Sequence, residues 1–500
     1  MSGRQTGGLL LGPVLFLLLL LIPTPAGMPP AALAVVALTV LMAIWWVSEA
    51  IPIAATALLP IALLPLLGVM DARQVTLAYG HHLVFLFLGG FLIAVTMEKW
   101  GLHRRIAMHI IRRVGFTPAR IILGFMLATA FLSMWISNTA TTMLMMTIGL
   151  GVIRQTGVLQ ADGEDAAMSL GQGRFGTALM LGIAYAASIG GVATLIGTPP
   201  NAILAGVIEK NYGFSIGFAE WMALGLPLSM VMLLLSWFYL TRIAYRCEQQ
   251  DLPGGKEMIM RELVALGPTS SEERWVLLIF VLVAGAWVLR GLLGSGALSM
   301  VKDSTIAVSG ALLLFLIPSR SVRGDFLLDW ETAVKIPWDI IILFGGGFAL
   351  ANAYKASGLT LWIAHQLAFL QGAGLFSVIA IIVLVVIFLT EVTSNTATAT
   401  LLLPVMGALA IALQIHPYGP MIAVTIAASF AFMLPVATPP NAIVFSSRQV
   451  TIPQMVRAGV WLNIVGSVLI IAVIMLWLPV IWGVDLASVP AHFSAPATGG

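Results

Sequence analysis

The chain has 500 residues, of which 60% are hydrophobic and 9% charged, with a net charge of +3. Globular proteins carry about 25% charged residues, so one water-soluble domain is excluded. The basic residues sit in short stretches between apolar runs, not on one face or tail, which excludes nucleic acid as a partner.

Crossing a hydrocarbon core about 30 Å thick takes about 20 apolar helical residues. In chain order, apolar runs predict eleven spans, over residues 9–26, 30–48, 51–70, 80–98, 177–207, 221–243, 275–293, 305–318, 338–354, 419–446 and 459–482. The first run, Leu9 to Ile22 behind Arg4, also fits a signal-peptide core with small residues after Pro23, although a first span suffices. Two further stretches, 119–153 and 375–414, are too long for one straight span and carry a polar Ser-Asn-Thr triplet at their middles. Each is expected to dip into the membrane and return as a re-entrant hairpin. The expected fold is therefore an all-α polytopic membrane protein with about 11 transmembrane helices plus two re-entrant hairpins. Cys247 is the only cysteine, so neither a disulfide framework nor a thiolate metal cluster is available.

The two halves repeat. Gly90-Phe91 matches Gly347-Phe348, Gly101-Leu102 matches Gly358-Leu359, and Ser137 to Thr141 matches Ser394 to Thr398, all 257 residues apart. Thr198-Pro199-Pro200-Asn201 then matches Thr438-Pro439-Pro440-Asn441 at a distance of 240. The 17 residues lost (257 − 240) predict a longer polar loop in the first half, near Gln160 to Arg174. Lys99, Arg104, Arg105, Arg112, Arg113 and Arg120 crowd one segment, whereas its copy, 356–377, has no Lys or Arg. Cytoplasmic loops collect such residues, so equivalent elements are expected on opposite sides, an inverted-topology repeat as in secondary transporters. The same rule predicts a cytoplasmic N-terminus and an extracytoplasmic tail in the cell inner (plasma) membrane.

The expected division of the chain follows the repeat. Residues 1–118 form first-repeat scaffold spans and the basic segment, and 119–246 the first hairpin, broken helix and following span. Residues 247–274 form a cytoplasmic loop and 275–374 the second-repeat scaffold spans. Residues 375–485 repeat the hairpin, broken helix and last span, and 486–500 form the tail.

Polar triplets inside apolar stretches are costly unless they face protein or a water-filled cavity. Ser and Asn cap helix N-termini well, so each triplet can begin a half-helix whose free N–H groups point at an anion, while its oxygens suit a hard cation. A plain hairpin turn would account for one triplet alone; a symmetric pair points to one shared site. The paired prolines at Pro199-Pro200 and Pro439-Pro440 break the following helices and free carbonyls at membrane depth. No Lys or Arg lies within either pair of motifs, so an anion bound there relies on helix N-termini, amides, hydroxyls and co-bound cations. Glu49, Glu98 and Glu391 lie in or near spans, and Glu391, three residues before a triplet, is the most suggestive. Trp45-Trp46 and Trp338 read as interface anchors, His81-His82 as interfacial residues without acidic company, and Gly89-Gly90 and Gly345 to Gly347 as close-packing positions. No His-Glu-x-x-His occurs, and an enzyme is not expected.

With its two Ser-Asn-Thr and two Thr-Pro-Pro-Asn motifs, the chain resembles the divalent anion sodium symporter family over nearly its whole length. That family includes sodium-coupled dicarboxylate, tricarboxylate and sulfate transporters and some dicarboxylate exchangers. The resemblance implies a homodimer embedded in membrane lipid, each subunit having a scaffold and a transport part that moves like an elevator. It implies one sodium site at Ser133, Ser137, Asn138 and Gly197 and a second at Thr390, Thr393, Asn395 and Ala437. Substrate carboxylates would lie between Ser137-Asn138-Thr139 and Ser394-Asn395-Thr396, with Thr198, Pro199, Thr438 and Pro439 closing the pocket. The expected function is sodium-coupled symport of C4-dicarboxylates such as succinate, malate and fumarate. The alternatives are exchange without net sodium coupling, or transport of sulfate or citrate on the same fold.

Overall fold

The computed structural model describes residues 3–155, 166–247, 255–293 and 301–489. Among these, eight helices are long and apolar enough to cross a membrane, or nine if the pair Trp338–Ala356 and Leu359–Gln366, bent by 70°, counts as one span. The figure is lower than the eleven runs because proline interrupts several of them. The run 51–70 becomes Ile53–Thr56 and Leu59–Leu66, with Pro52 just before the first and Pro60 in the first turn of the second. The run 177–207 divides into Ala166–Val192 and Pro199–Tyr212, and 419–446 into Tyr418–Ala427 and Pro439–Ser446. The run 305–318 is a short helix, Asp303–Leu316.

The repeat is visible as a register of helix starts. Pro118–Ser133 and Asn138–Gln155 form the first hairpin, Leu375–Leu389 and Asn395–Leu413 the second, and both starts differ by 257. Gly101 and Gly358 open the helices before the hairpins in the left-handed conformation, with φ 70° and 78°, which glycine adopts without strain. Phe218–Phe238 and Ile452–Ala472 follow the broken helices, and each runs on into a π-helical turn, Tyr239–Ala244 and Val473–Trp477.

Packing follows the small residues. In the first helix, Gly3–Leu21, only Gly8 and Gly12 are buried; a Cβ on Gly12 would come 2.7 Å from Trp45 Nε1 of Pro30–Ser48, and one on Gly8 would collide with Ser48. Gly89 lies against the backbone of Ala307, and Gly346 against that of Ala57. Residues 175–192 are buried throughout and run through the centre of the molecule.

The end carrying the basic loops is fastened by ion pairs. Lys99 Nζ reaches Asp325 at 2.9 Å and Asp329 at 2.5 Å. Arg105 meets Glu273 at 2.7 Å and donates to the carbonyls of Leu266 and Gly267, both at 3.0 Å. Glu272 accepts from the N–H groups of Arg320 at 2.7 Å and Ser321 at 2.9 Å.

Three expectations need adjustment at loops. Residues 160–165 of the expected polar loop lie outside the described residues, and its remainder is already part of Ala166–Val192. Within 247–274, residues 248–254 lie outside them, and Gly255–Ala265 is helical because its Glu, Arg and Leu residues favour it. Of the tail 486–500, residues 490–500 lie outside them.

Candidate functional site

Each hairpin turns at its triplet because the chain leaves one helix and re-enters another within a few residues. In the first tip, Ser137 Oγ accepts from Ala140 N–H at 3.2 Å, capping the helix that starts at Asn138. Ser133 Oγ donates to the Ala187 carbonyl at 2.7 Å and also contacts Asn138 Oδ1. In the second tip, Thr390 Oγ1 bonds the Ala428 carbonyl at 2.9 Å and Asn395 Oδ1 at 2.8 Å. Thr393 bonds Thr398 at 2.7 Å. The two tips thus repeat one arrangement: a hydroxyl five residues before the asparagine holds its amide oxygen and reaches the helix behind.

The broken spans meet these tips through unwound backbone. Thr198 and Thr438 are both extended, with φ −147° and −142°, and the diproline after each starts a new helix. Asn201 Nδ2 holds the carbonyl of Thr194 at 2.7 Å, and Asn441 Nδ2 those of Leu434 at 3.0 Å and Ala431 at 3.2 Å. The buried Oδ1 atoms of both asparagines lack a partner among the described residues. Gly191 permits a close approach to the first tip, since a Cβ on it would stand 2.9 Å from Asn138 Oδ1, and Gly197 packs against the backbone of Gly191.

Between the tips lies a cavity of about 460 Å³. Its wall includes Ser137, Asn138 and Thr139 from one tip and Thr393, Ser394, Asn395 and Thr396 from the other. Gly197, Thr198, Pro199, Ala437, Thr438 and Pro439 complete that side, so four helix N-termini border one space. Ser133 and Thr390 are fully buried behind the tips and do not line it. A larger cavity, about 1060 Å³, opens among Arg174, Arg448 and Arg457, but no motif residue lines it.

The rest of the lining includes Glu49, already a candidate in the sequence, and groups that the sequence does not reveal. Arg4, Glu49 and Asp339 line the cavity, and the Arg4 guanidinium donates to the Val47 carbonyl. Trp46 is not an interface anchor: it is 1% exposed, donates to the Ile53 carbonyl at 3.1 Å and lines the same cavity. Trp338, 40% exposed, keeps a surface position. His82 does have acidic company, since its Nε2 lies 2.7 Å from Glu209 of Pro199–Tyr212, and His81, His82 and Glu209 converge. Such contacts join residues 127 apart in the chain and leave no local signal.

The family described as the sodium:sulfate symporter transmembrane region matches residues 5–484. The sodium-dependent dicarboxylate transporter SdcS of Staphylococcus saprophyticus is 44% identical over 485 residues, covering 96% of this chain and 93% of its own. The protein of the same name from Staphylococcus aureus strain USA300 is 45% identical over 489 residues, covering 97% and 93%. Among solved structures, the YdaH transporter of Alcanivorax borkumensis superposes with a TM-score of 0.53 over 91% of this chain and 99% of its own. At 12% identity that likeness speaks for the fold alone.

Proposed function

Because the chain belongs to the sodium:sulfate symporter transmembrane-region family, we propose that it is a secondary active transporter carrying C4-dicarboxylates such as succinate, malate and fumarate with sodium ions across the plasma membrane. The observation that carries this reading is the pair of matched tips facing one cavity of about 460 Å³. Each tip offers a hydroxyl, an amide and a helix N-terminus, so each suits one carboxylate of a substrate with two. The names of the Staphylococcus relatives favour the same substrate class and ion.

Charge balance explains the coupling. A helix N-terminus is worth about half a positive charge, and the Arg4 guanidinium on the wall is offset by Glu49 and Asp339. A dianion in this pocket needs further positive charge, which sodium supplies. The first sodium is held by Ser133, Ser137, Asn138 and Gly197, and the second by Thr390, Thr393, Asn395 and Ala437. Hydroxyl, amide and carbonyl oxygens suit such a hard cation. Sodium binds first, orders the tips and completes the substrate pocket. The two halves are inverted in the membrane, with the basic segment 99–120 in the cytoplasm, and the hairpins and broken helices move together against the scaffold of a homodimer.

Labelled succinate uptake into proteoliposomes tests the reading. An inward sodium gradient is expected to drive accumulation, and replacement of sodium by choline to abolish it. Sodium-independent counterflow with no accumulation would assign the protein to exchange.

A further inference from the structure

Glu391 lies between two proposed ligands of the second cation site, Thr390 and Thr393, and is 3% exposed. Its carboxylate accepts from the backbone N–H groups of Phe432 at 2.7 Å, Met433 at 3.0 Å and Leu434 at 3.1 Å. Asn463 Nδ2, from Ile452–Ala472, donates to it at 2.8 Å. Phe432 to Leu434 belong to the unwound stretch between Tyr418–Ala427 and Pro439–Ser446. The Ala437 N–H in turn donates to the Leu434 carbonyl at 3.2 Å. One side chain therefore fastens the hairpin tip to the backbone that leads to Ala437.

The first repeat closes the same junction by other means. The counterpart of Glu391 is Met134 (391 − 257), and that of Leu434 is Thr194 (434 − 240). There Thr194 Oγ1 donates to the Met134 carbonyl at 2.6 Å, a single neutral bond. Leu434 has no hydroxyl to offer, and the N–H groups of three successive unwound residues need an acceptor. Left bare in the interior, each would be a buried donor without compensation for its lost water. A carboxylate is the side chain with acceptor sites for four donors and no N–H of its own to clash with them.

We propose that Glu391 is a positioning residue of the second cation site, holding the segment Phe432 to Leu434 so that the Ala437 carbonyl stays in register with Thr390, Thr393 and Asn395. The two cation sites are then unequal, one set by a hydroxyl and the other by a carboxylate. This inference rests on the sodium-coupled reading. Glu391→Gln places an amide donor against backbone N–H groups, so the segment shifts. The double variant Glu391→Met with Leu434→Thr rebuilds the closure of the first repeat.

The test measures succinate uptake and thermal unfolding against sodium concentration for the full chain and both variants. Glu391→Gln is expected to raise the sodium concentration for half-maximal uptake about tenfold, with maximal uptake at saturating sodium within about threefold of the parent. The double variant is expected to recover most of that loss. If the parent shows no sodium dependence, the transport reading falls and this inference with it. If the parent depends on sodium and Glu391→Gln has the same half-saturation, the inference alone falls. It is also overturned if neither variant gives a cooperative melt, because Glu391 would then serve folding only.

Discussion

Asn138 and Asn395 occupy the same place in the two halves, each opening a helix at a hairpin tip and each taking a hydroxyl bond on its amide oxygen from the residue five positions earlier. Removing either amide should weaken both cation and carboxylate binding. Asn138→Ala and Asn395→Ala are each expected to raise the half-saturating sodium concentration and to weaken succinate binding, by about tenfold or more. Sodium titrations of uptake and of succinate binding check this, and unchanged sodium dependence in both variants would remove these residues from the site. Specificity belongs to the same scale. In the proposed two-tip pocket a monocarboxylate would leave one tip desolvated and unpaired, so butyrate should fail to displace succinate at equal concentration. The motif residues are legible in sequence because polar groups within apolar runs need a reason. Arg4 and the His82–Glu209 pair are not, since their partners lie 43 and 127 residues away, nor is Trp46, whose cavity is shared with Asp339 and Asn395.

Helices and their joints bear different loads. Arg105 and Glu273 are 12% and 6% exposed in their side chains, so deleting one partner strands a buried charge. Arg105→Leu should destabilise the protein by about 3–5 kcal/mol, read as a fall in melting temperature in detergent. The Lys99 ammonium, hydrogen-bonded to Asp329, holds that carboxyl down from its ordinary 3.8 to about 2. A depressed acid stabilises the fold above its ordinary value and loses that contribution as pH falls through the folded one. The parent should therefore lose stability between about pH 4 and pH 2 more steeply than Lys99→Met, and equal slopes in melting experiments would exclude this contact as a cause. Element boundaries were only partly legible. The diprolines mark the breaks within 177–207 and 419–446 in advance, but periodic apolar runs do not say that 51–70 divides or that Gly255–Ala265 is helical.

At the scale of the molecule, the matched register of helix starts predicts a topology that labelling can read. Arg112 and Phe369 are equivalent at the 257 offset and both are exposed. They are better probes than the glycines at 101 and 358, whose left-handed backbone a cysteine would strain. With Cys247 replaced, Arg112→Cys should react only with reagent on the cytoplasmic side and Phe369→Cys only with reagent outside; labelling of both from one side would sink the inverted arrangement. The docking of the first helix has a practical outcome for anyone expressing the protein. Arg4 reaches the cavity wall from the amino end, whereas Trp482, near the other end, is tied to the Glu220 carbonyl at 3.2 Å and does not line that cavity. Shortening the chain through Gly3–Leu21 would take a guanidinium out of the cavity wall and bare the face of Pro30–Ser48 that Gly8 and Gly12 cover, so material intended for kinetic work should keep that helix.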